Sequence, residues 1–128
     1  MMLASTGVMK RTFRGLLARG QKTPPPPRIL LVDDDPGIRA YLMRALVPSE
    51  CEIVVAVDGA EALQMFARAA PLDLLLTDLM MPEMNGLELG RRLQQQSPDL
   101  PILYLTGHSD ALFGERPLLG ANEAFLDK

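Results

Sequence analysis

The side chains that could do chemistry lie in four short places in this 128-residue chain: Asp33-Asp34-Asp35, Asp78, Thr106 and Lys128. Two or three carboxylates held within about 5 Å of one another would repel by roughly 3 kcal/mol per pair at an effective dielectric near 20. A fold tolerates that only by raising a carboxyl pKa or by binding a cation. Mg2+ is the natural candidate, because it takes a few carboxylates together with waters and phosphate oxygens. Asp35 has a simpler use as the N-cap of a helix whose first residue is Pro36. Capping needs one aspartate, which leaves Asp33 and Asp34 for another task. Asp78 follows the apolar run Leu74-Leu75-Leu76. A lone aspartate after a strand is commonly a turn former, but here the turn residues come later, at Pro82 and Asn85-Gly86. Asp78 is therefore expected to face Asp33 and Asp34. A hydroxyl (Thr106) and an ammonium (Lys128) are the groups that a phosphoryl unit with charge spread over three oxygens requires. Singly these signals are weak, since threonine suits any strand end and a lysine there is usually a solvated charge.

Positioning these groups together is a matter of periodicity. Short apolar runs at 28–32, 52–56, 72–77, 100–105 and 123–126 read as strands, and 72–77 is apolar enough to be buried on both faces. Helical spacing of apolar residues marks 36–47, 59–70 and 86–96, with a weak fourth helix at 108–116. Strands alternating with helices of this length imply right-handed crossovers and a doubly wound, five-stranded parallel α/β sheet. In such sheets the functional groups gather beyond the carboxyl ends of the strands. Asp33, Asp34, Asp78, Thr106 and Lys128 all sit at strand ends, on one rim.

Composition excludes several other classes. Hydrophobic residues make up 48% of the chain, enough for one core, and no apolar run approaches the roughly 20 residues of a membrane span. The single cysteine, Cys51, forms no internal disulfide and fits a reducing, cytoplasmic compartment. The single histidine, His108, has no histidine or cysteine nearby in sequence, which argues against zinc. The net charge of −3 is unevenly spread: residues 1–23 hold five basic residues and no acid, and the remainder holds eight basic and sixteen acidic residues. An acidic main domain speaks against direct nucleic-acid binding. Pro24–Pro27 favour an extended segment, so 1–27 is expected to be a basic tail and linker, and 28–128 the domain. Met9, Phe13, Leu16 and Leu17 share a helical face among basic residues, a pattern compatible with an anionic membrane surface, although short N-terminal extensions are usually unordered.

From residue 28 onward the chain resembles the receiver domain of response regulators. The resemblance rests on Ile29-Leu30-Leu31-Val32-Asp33-Asp34-Asp35-Pro36, on Leu76-Thr77-Asp78-Leu79-Met80-Met81-Pro82-Glu83-Met84-Asn85-Gly86, on Pro101-Ile102-Leu103-Tyr104-Leu105-Thr106-Gly107, and on Ala124-Phe125-Leu126-Asp127-Lys128. It implies a flavodoxin-like strand order 2-1-3-4-5. It implies that Asp78 accepts a phosphoryl group from the phosphohistidine of a sensor histidine kinase or a histidine phosphotransfer domain. Asp33 and Asp34 match the acidic pair that holds Mg2+, and Met80 the position whose backbone carbonyl also binds it. Thr106 and Lys128 match the hydroxyl and ammonium that engage phosphoryl oxygens, and Phe125 the aromatic that follows the threonine in switching. Gly107 matches the small residue that leaves the site accessible, and His108 lies where it could influence a hydrolytic water. On this reading the chain is a relay module rather than a conventional enzyme.

Family members of this type normally continue past the lysine with a proline and a further helix, so this chain is expected to be a piece lacking that last helix. The motifs look most like receivers attached to hybrid sensor kinases. A competing expectation is a Mg2+-dependent phosphohydrolase of the haloacid-dehalogenase type, with Asp33 as nucleophile and Asp35 as acid/base. That reading leaves Asp78 and its Met-Pro-rich loop without a use.

Overall fold

The computed structural model describes residues 25–69, 71–107 and 119–128. The basic segment 1–23, the expected helix at 108–116 and His108 lie outside the described residues. The elements are β1 (Arg28–Val32), α1 (Pro36–Leu46), a 3-10 turn (Val47–Ser49), β2 (Glu52–Ala56), α2 (Gly59–Ala69), β3 (Leu74–Asp78), α3 (Gly86–Gln96), β4 (Ile102–Thr106) and β5 (Glu123–Asp127). All strand pairs are parallel and the order is β2-β1-β3-β4-β5, the flavodoxin-like arrangement. Among the described residues no helix is long and apolar enough to cross a membrane.

Strand alternation sorts the core onto two faces. Leu30, Val32 and Leu75 point to one side, where they meet Ala62 and Phe66 of α2 and Leu89 and Leu93 of α3. Ile29, Leu31 and Leu76 point to the other, against Leu42 and Leu46 of α1. Every residue of β1 after Arg28 is buried, as a strand covered on both faces requires.

Local signals set the starts of the helices. Asp35 Oδ1 accepts the Gly37 and Ile38 amide hydrogens at 2.7 and 3.3 Å, with Pro36 in the first turn. Asn85 does the same for α3, accepting the Glu88 amide hydrogen at 2.9 Å. Several boundaries differ from the sequence expectation. Helix α1 stops at Leu46, because Pro48 has no amide hydrogen to continue the ladder. Strand β3 starts at Leu74 rather than 72 and runs through Asp78, and β4 starts at Ile102 rather than 100 and runs through Thr106. The pairing partners cause both shifts. Leu74 is the first residue with a partner on β1, Leu75 pairs with Ile102, and Asp78 still pairs with Leu105. Asp78 and Thr106 are thus last residues of strands, held by the ladder rather than carried on loops.

Candidate functional site

Asp33 leaves the buried end of β1 and is itself fully buried. Its Oδ1 accepts the Asp35 amide hydrogen at 2.9 Å, and its backbone oxygen accepts from Arg39 Nη1 at 2.7 Å. The first of these bonds fixes the side chain but uses only one carboxylate oxygen. Among the described residues Asp33 Oδ2 is buried without a hydrogen-bond partner, and the ammonium of Lys128, at Nζ, stands 3.4 Å away. Asp34, next in sequence, is exposed.

Asp78 ends β3 and is only 4% exposed. Its Oδ1 lies 3.0 Å from Lys128 Nζ and accepts the Met80 amide hydrogen at 3.3 Å. One oxygen from each of Asp33, Asp34 and Asp78 can be chosen so that all lie within 4.8 Å of one another. The Asp78 carboxyl is raised from 3.8 to about 6, chiefly by burial, with the Lys128 hydrogen bond opposing the rise and the Asp33 charge adding to it. For Lys128, burial disfavours the charge, but the bond and charge of Asp78 and the charge of Asp33 outweigh it, so its pKa lies above the ordinary lysine value.

The segment that turns the chain away from Asp78 is tight. Glu83 takes a left-handed conformation (φ 67°), and the Gly86 amide hydrogen returns to the Leu79 oxygen at 2.9 Å. A Cβ at Gly86 would stand 2.3 Å from the Asp78 backbone oxygen, so only glycine lets α3 start this close behind the carboxylate. Met80, on the outer side of the turn, is 39% exposed.

Of the residues singled out in the sequence, Asp33, Asp34, Asp78 and Lys128 converge directly. Thr106 is at the same rim and buried, but its hydroxyl donates to Asp127 Oδ1 at 2.8 Å. The Lys128 amide hydrogen in turn reaches the Thr106 oxygen at 2.7 Å, tying the ends of β4 and β5 together. Phe125 is half-buried, its ring 5.8 Å from that of Tyr104, a tilted aromatic pair across the β4–β5 register. Asp127 stands in the last sequence motif without a role of its own. The relevant signal, its place opposite Thr106, exists only once two strands are aligned.

Chemically, three carboxylates with one buried oxygen that lacks a hydrogen bond among the described residues suit a hard divalent cation such as Mg2+. The ammonium beside them meets the need for positive charge in part only: one Lys128 faces two buried carboxylates. A nearly buried carboxylate beside an ammonium, held in place by the strand ladder, also has the fixed position that a nucleophile requires.

Known proteins share this sequence pattern and this fold. The family described as "Response regulator receiver domain" matches residues 29–128. A curated relative, "Response regulator MprA" of Mycobacterium leprae (strain TN), is 49% identical over 79 residues, covering 62% of this chain and 34% of the relative. The chain therefore spans about a third of that protein's length. Among solved structures, a putative response regulator from Chloroflexus aurantiacus J-10-fl shares 34% identity over 80% of this chain and 85% of that one, with a TM-score of 0.67. The receiver domain from the hybrid histidine kinase CckA shares 26% identity over 79% and 84%, with a TM-score of 0.63.

Proposed function

Because the chain belongs to the response regulator receiver domain family, we propose that it is a phospho-accepting switch whose acceptor is Asp78. The observation that carries the reading is the Asp78 carboxylate itself: nearly buried, 3.0 Å from the Lys128 ammonium, and grouped with Asp33 and Asp34. One carboxylate oxygen of Asp78 attacks the phosphorus of a phosphohistidine on a sensor histidine kinase or a histidine phosphotransfer domain. The phosphorus–nitrogen bond breaks, and the electron pair leaves with the imidazole nitrogen. The product is an acyl phosphate, which water later cleaves to inorganic phosphate and the free carboxylate. A cytoplasmic setting, in keeping with the free thiol of Cys51, belongs to the same reading.

Mg2+, held by Asp33, Asp34, Asp78 and the Met80 backbone carbonyl, would neutralise charge on the phosphoryl oxygens. Lys128 shares that work, its ammonium 3.0 Å from the acceptor oxygen. Thr106 and Phe125 are the switch residues of this proposal. Charge added at Asp78 draws the Thr106 hydroxyl toward it, and Phe125 follows into the space released. His108 is proposed as a modulator of hydrolysis, to be read from the lifetime of the phosphorylated form in His108→Ala.

The phosphohydrolase alternative is weakened by Asp35. Its Oδ1 already accepts two amide hydrogens at the start of α1, which leaves it poorly suited to serve as an acid/base beside Asp33. Incubation with Mg2+ and acetyl phosphate separates the two readings. Hydroxylamine-labile phosphate should appear on Asp78 by mass spectrometry. Label on Asp33 instead, or none on any residue, refutes the acceptor role.

Asp33→Asn tests the cation site separately. The amide keeps an acceptor for the Asp35 amide hydrogen but removes the buried charge, so Mg2+ affinity by calorimetry should fall at least tenfold, roughly the least that losing even an outer partner costs a metal site. Unchanged affinity would remove Asp33 from the cation site.

A further inference from the structure

The Thr106 hydroxyl is a single donor at a buried position, so it needs an acceptor at all times. Strand β4 lies between β3 and β5, so the end that carries Thr106 is flanked by the ends of two strands that each bear an aspartate. On one side is Asp78, paired with Leu105 one residue before Thr106. On the other is Asp127, the direct partner of Thr106 on β5, whose Oδ1 takes the hydroxyl hydrogen at 2.8 Å. The two ends of this bond differ in what it costs to break it. Asp127 faces solvent, and water can replace the hydroxyl there. Thr106 has no such recourse and can leave Asp127 only for another acceptor. The strand ends themselves stay joined by the Lys128 amide bond to the Thr106 oxygen. The join between β4 and β5 therefore does not depend on the hydroxyl, which can leave Asp127 without undoing it.

We infer that Asp127 is a latch on Thr106: it holds the hydroxyl toward β5 in the unphosphorylated chain, and a phosphoryl group on Asp78 must win the hydroxyl from it. The inference rests on the proposed acceptor role of Asp78. Asp127 acts on the switch through the Thr106 hydroxyl, so it is a positioning residue that sets how readily the switch closes. Removing it leaves the hydroxyl without its resting acceptor and favours the closed arrangement. A hydrogen bond to a charged group is strong enough for the gain to be about tenfold.

The test is calorimetric titration of the full chain with beryllium trifluoride, a phosphoryl mimic, in the presence of Mg2+. Asp127→Ala is expected to bind about tenfold more tightly than the parent, and Asp127→Asn, which keeps a weaker neutral acceptor, to fall between them. In a Thr106→Ala background the Asp127→Ala gain should vanish. Equal affinity of Asp127→Ala and the parent overturns the latch. So does an equal gain in both backgrounds, which would mean that Asp127 merely repels the anion. If the parent chain binds no beryllium trifluoride, the acceptor role of Asp78 fails and the latch fails with it. That outcome is distinct from binding that Asp127 does not affect.

Discussion

Asp78→Asn should take up no phosphoryl group and yet resist unfolding better than the parent chain when Mg2+ is absent. The first half follows from the chemistry, since an amide oxygen is too weak a nucleophile to form the acyl phosphate. The second follows from electrostatics. The folded-state pKa of Asp78, about 6, lies above the ordinary 3.8, so the folded chain holds a proton that the unfolded chain has already released between those values. A carboxyl raised in this way stabilises the fold most at low pH, and that contribution is lost as pH rises through about 6. Above pH 7 the parent carries the full penalty of a buried charge beside Asp33. A rise from 3.8 to about 6 corresponds to roughly 3 kcal/mol. The amide also deprives Lys128 of one partner, so a gain of about 1–2 kcal/mol is expected. Urea unfolding in chelator should show it at pH 8 and show little at pH 4.5. Saturating Mg2+ should narrow or reverse the difference, because binding to the folded parent adds stability by mass action and the variant lacks a ligand. A variant less stable than the parent at pH 8 in chelator would mean that the bond to Lys128 outweighs burial.

Gly86→Ala is expected to damage the fold and the site together. The added methyl would meet the Asp78 backbone oxygen at 2.3 Å, the Asp78 carbonyl carbon at 3.1 Å and Leu79 Cα at 3.1 Å. All three are backbone atoms at the end of a strand paired to β4, so no side chain can turn aside to make room. Either α3 moves outward, breaking the Gly86 amide bond to Leu79, or the end of β3 moves and displaces the carboxylate. Forcing a methyl into so tight a contact costs about 3 kcal/mol. Because the clash is against Asp78 itself, Mg2+ affinity should drop as well, which loss of stability alone would not produce in the folded fraction. Gly107→Ala is the control, with no atom of the described residues within 4 Å of its added methyl. It should lie within about 0.5 kcal/mol of the parent. Equal stability of the two variants would show that the turn behind Asp78 gives way easily.

Most of this architecture could be read along the chain, for reasons that are local. The bounds of β1, β2 and α3 agree with their apolar spacing, and Asp35 caps α1 as its position beside Pro36 implies. Capping, turn chemistry and side-chain period depend on near neighbours, so they are written in order. The ends of β3 and β4 differ from their apolar runs by one or two residues, since a strand extends as far as its neighbour pairs with it. That error matters here, because Asp78 and Thr106 are those ends.

Residue types and their order were thus enough to set five strands in a parallel sheet and to bring aspartates, a threonine and a lysine to one rim. Folding added what depends on several strands at once. Asp33 divides its carboxylate between a local amide and a buried oxygen left without a hydrogen bond. Lys128 reaches both Asp33 and Asp78 from a strand some 50 or more residues away in the chain. Thr106 turns toward Asp127 because parallel register sets the two side by side. Hydrogen-bond reach is about 3 Å, and no periodicity along one strand specifies a separation that fine between two.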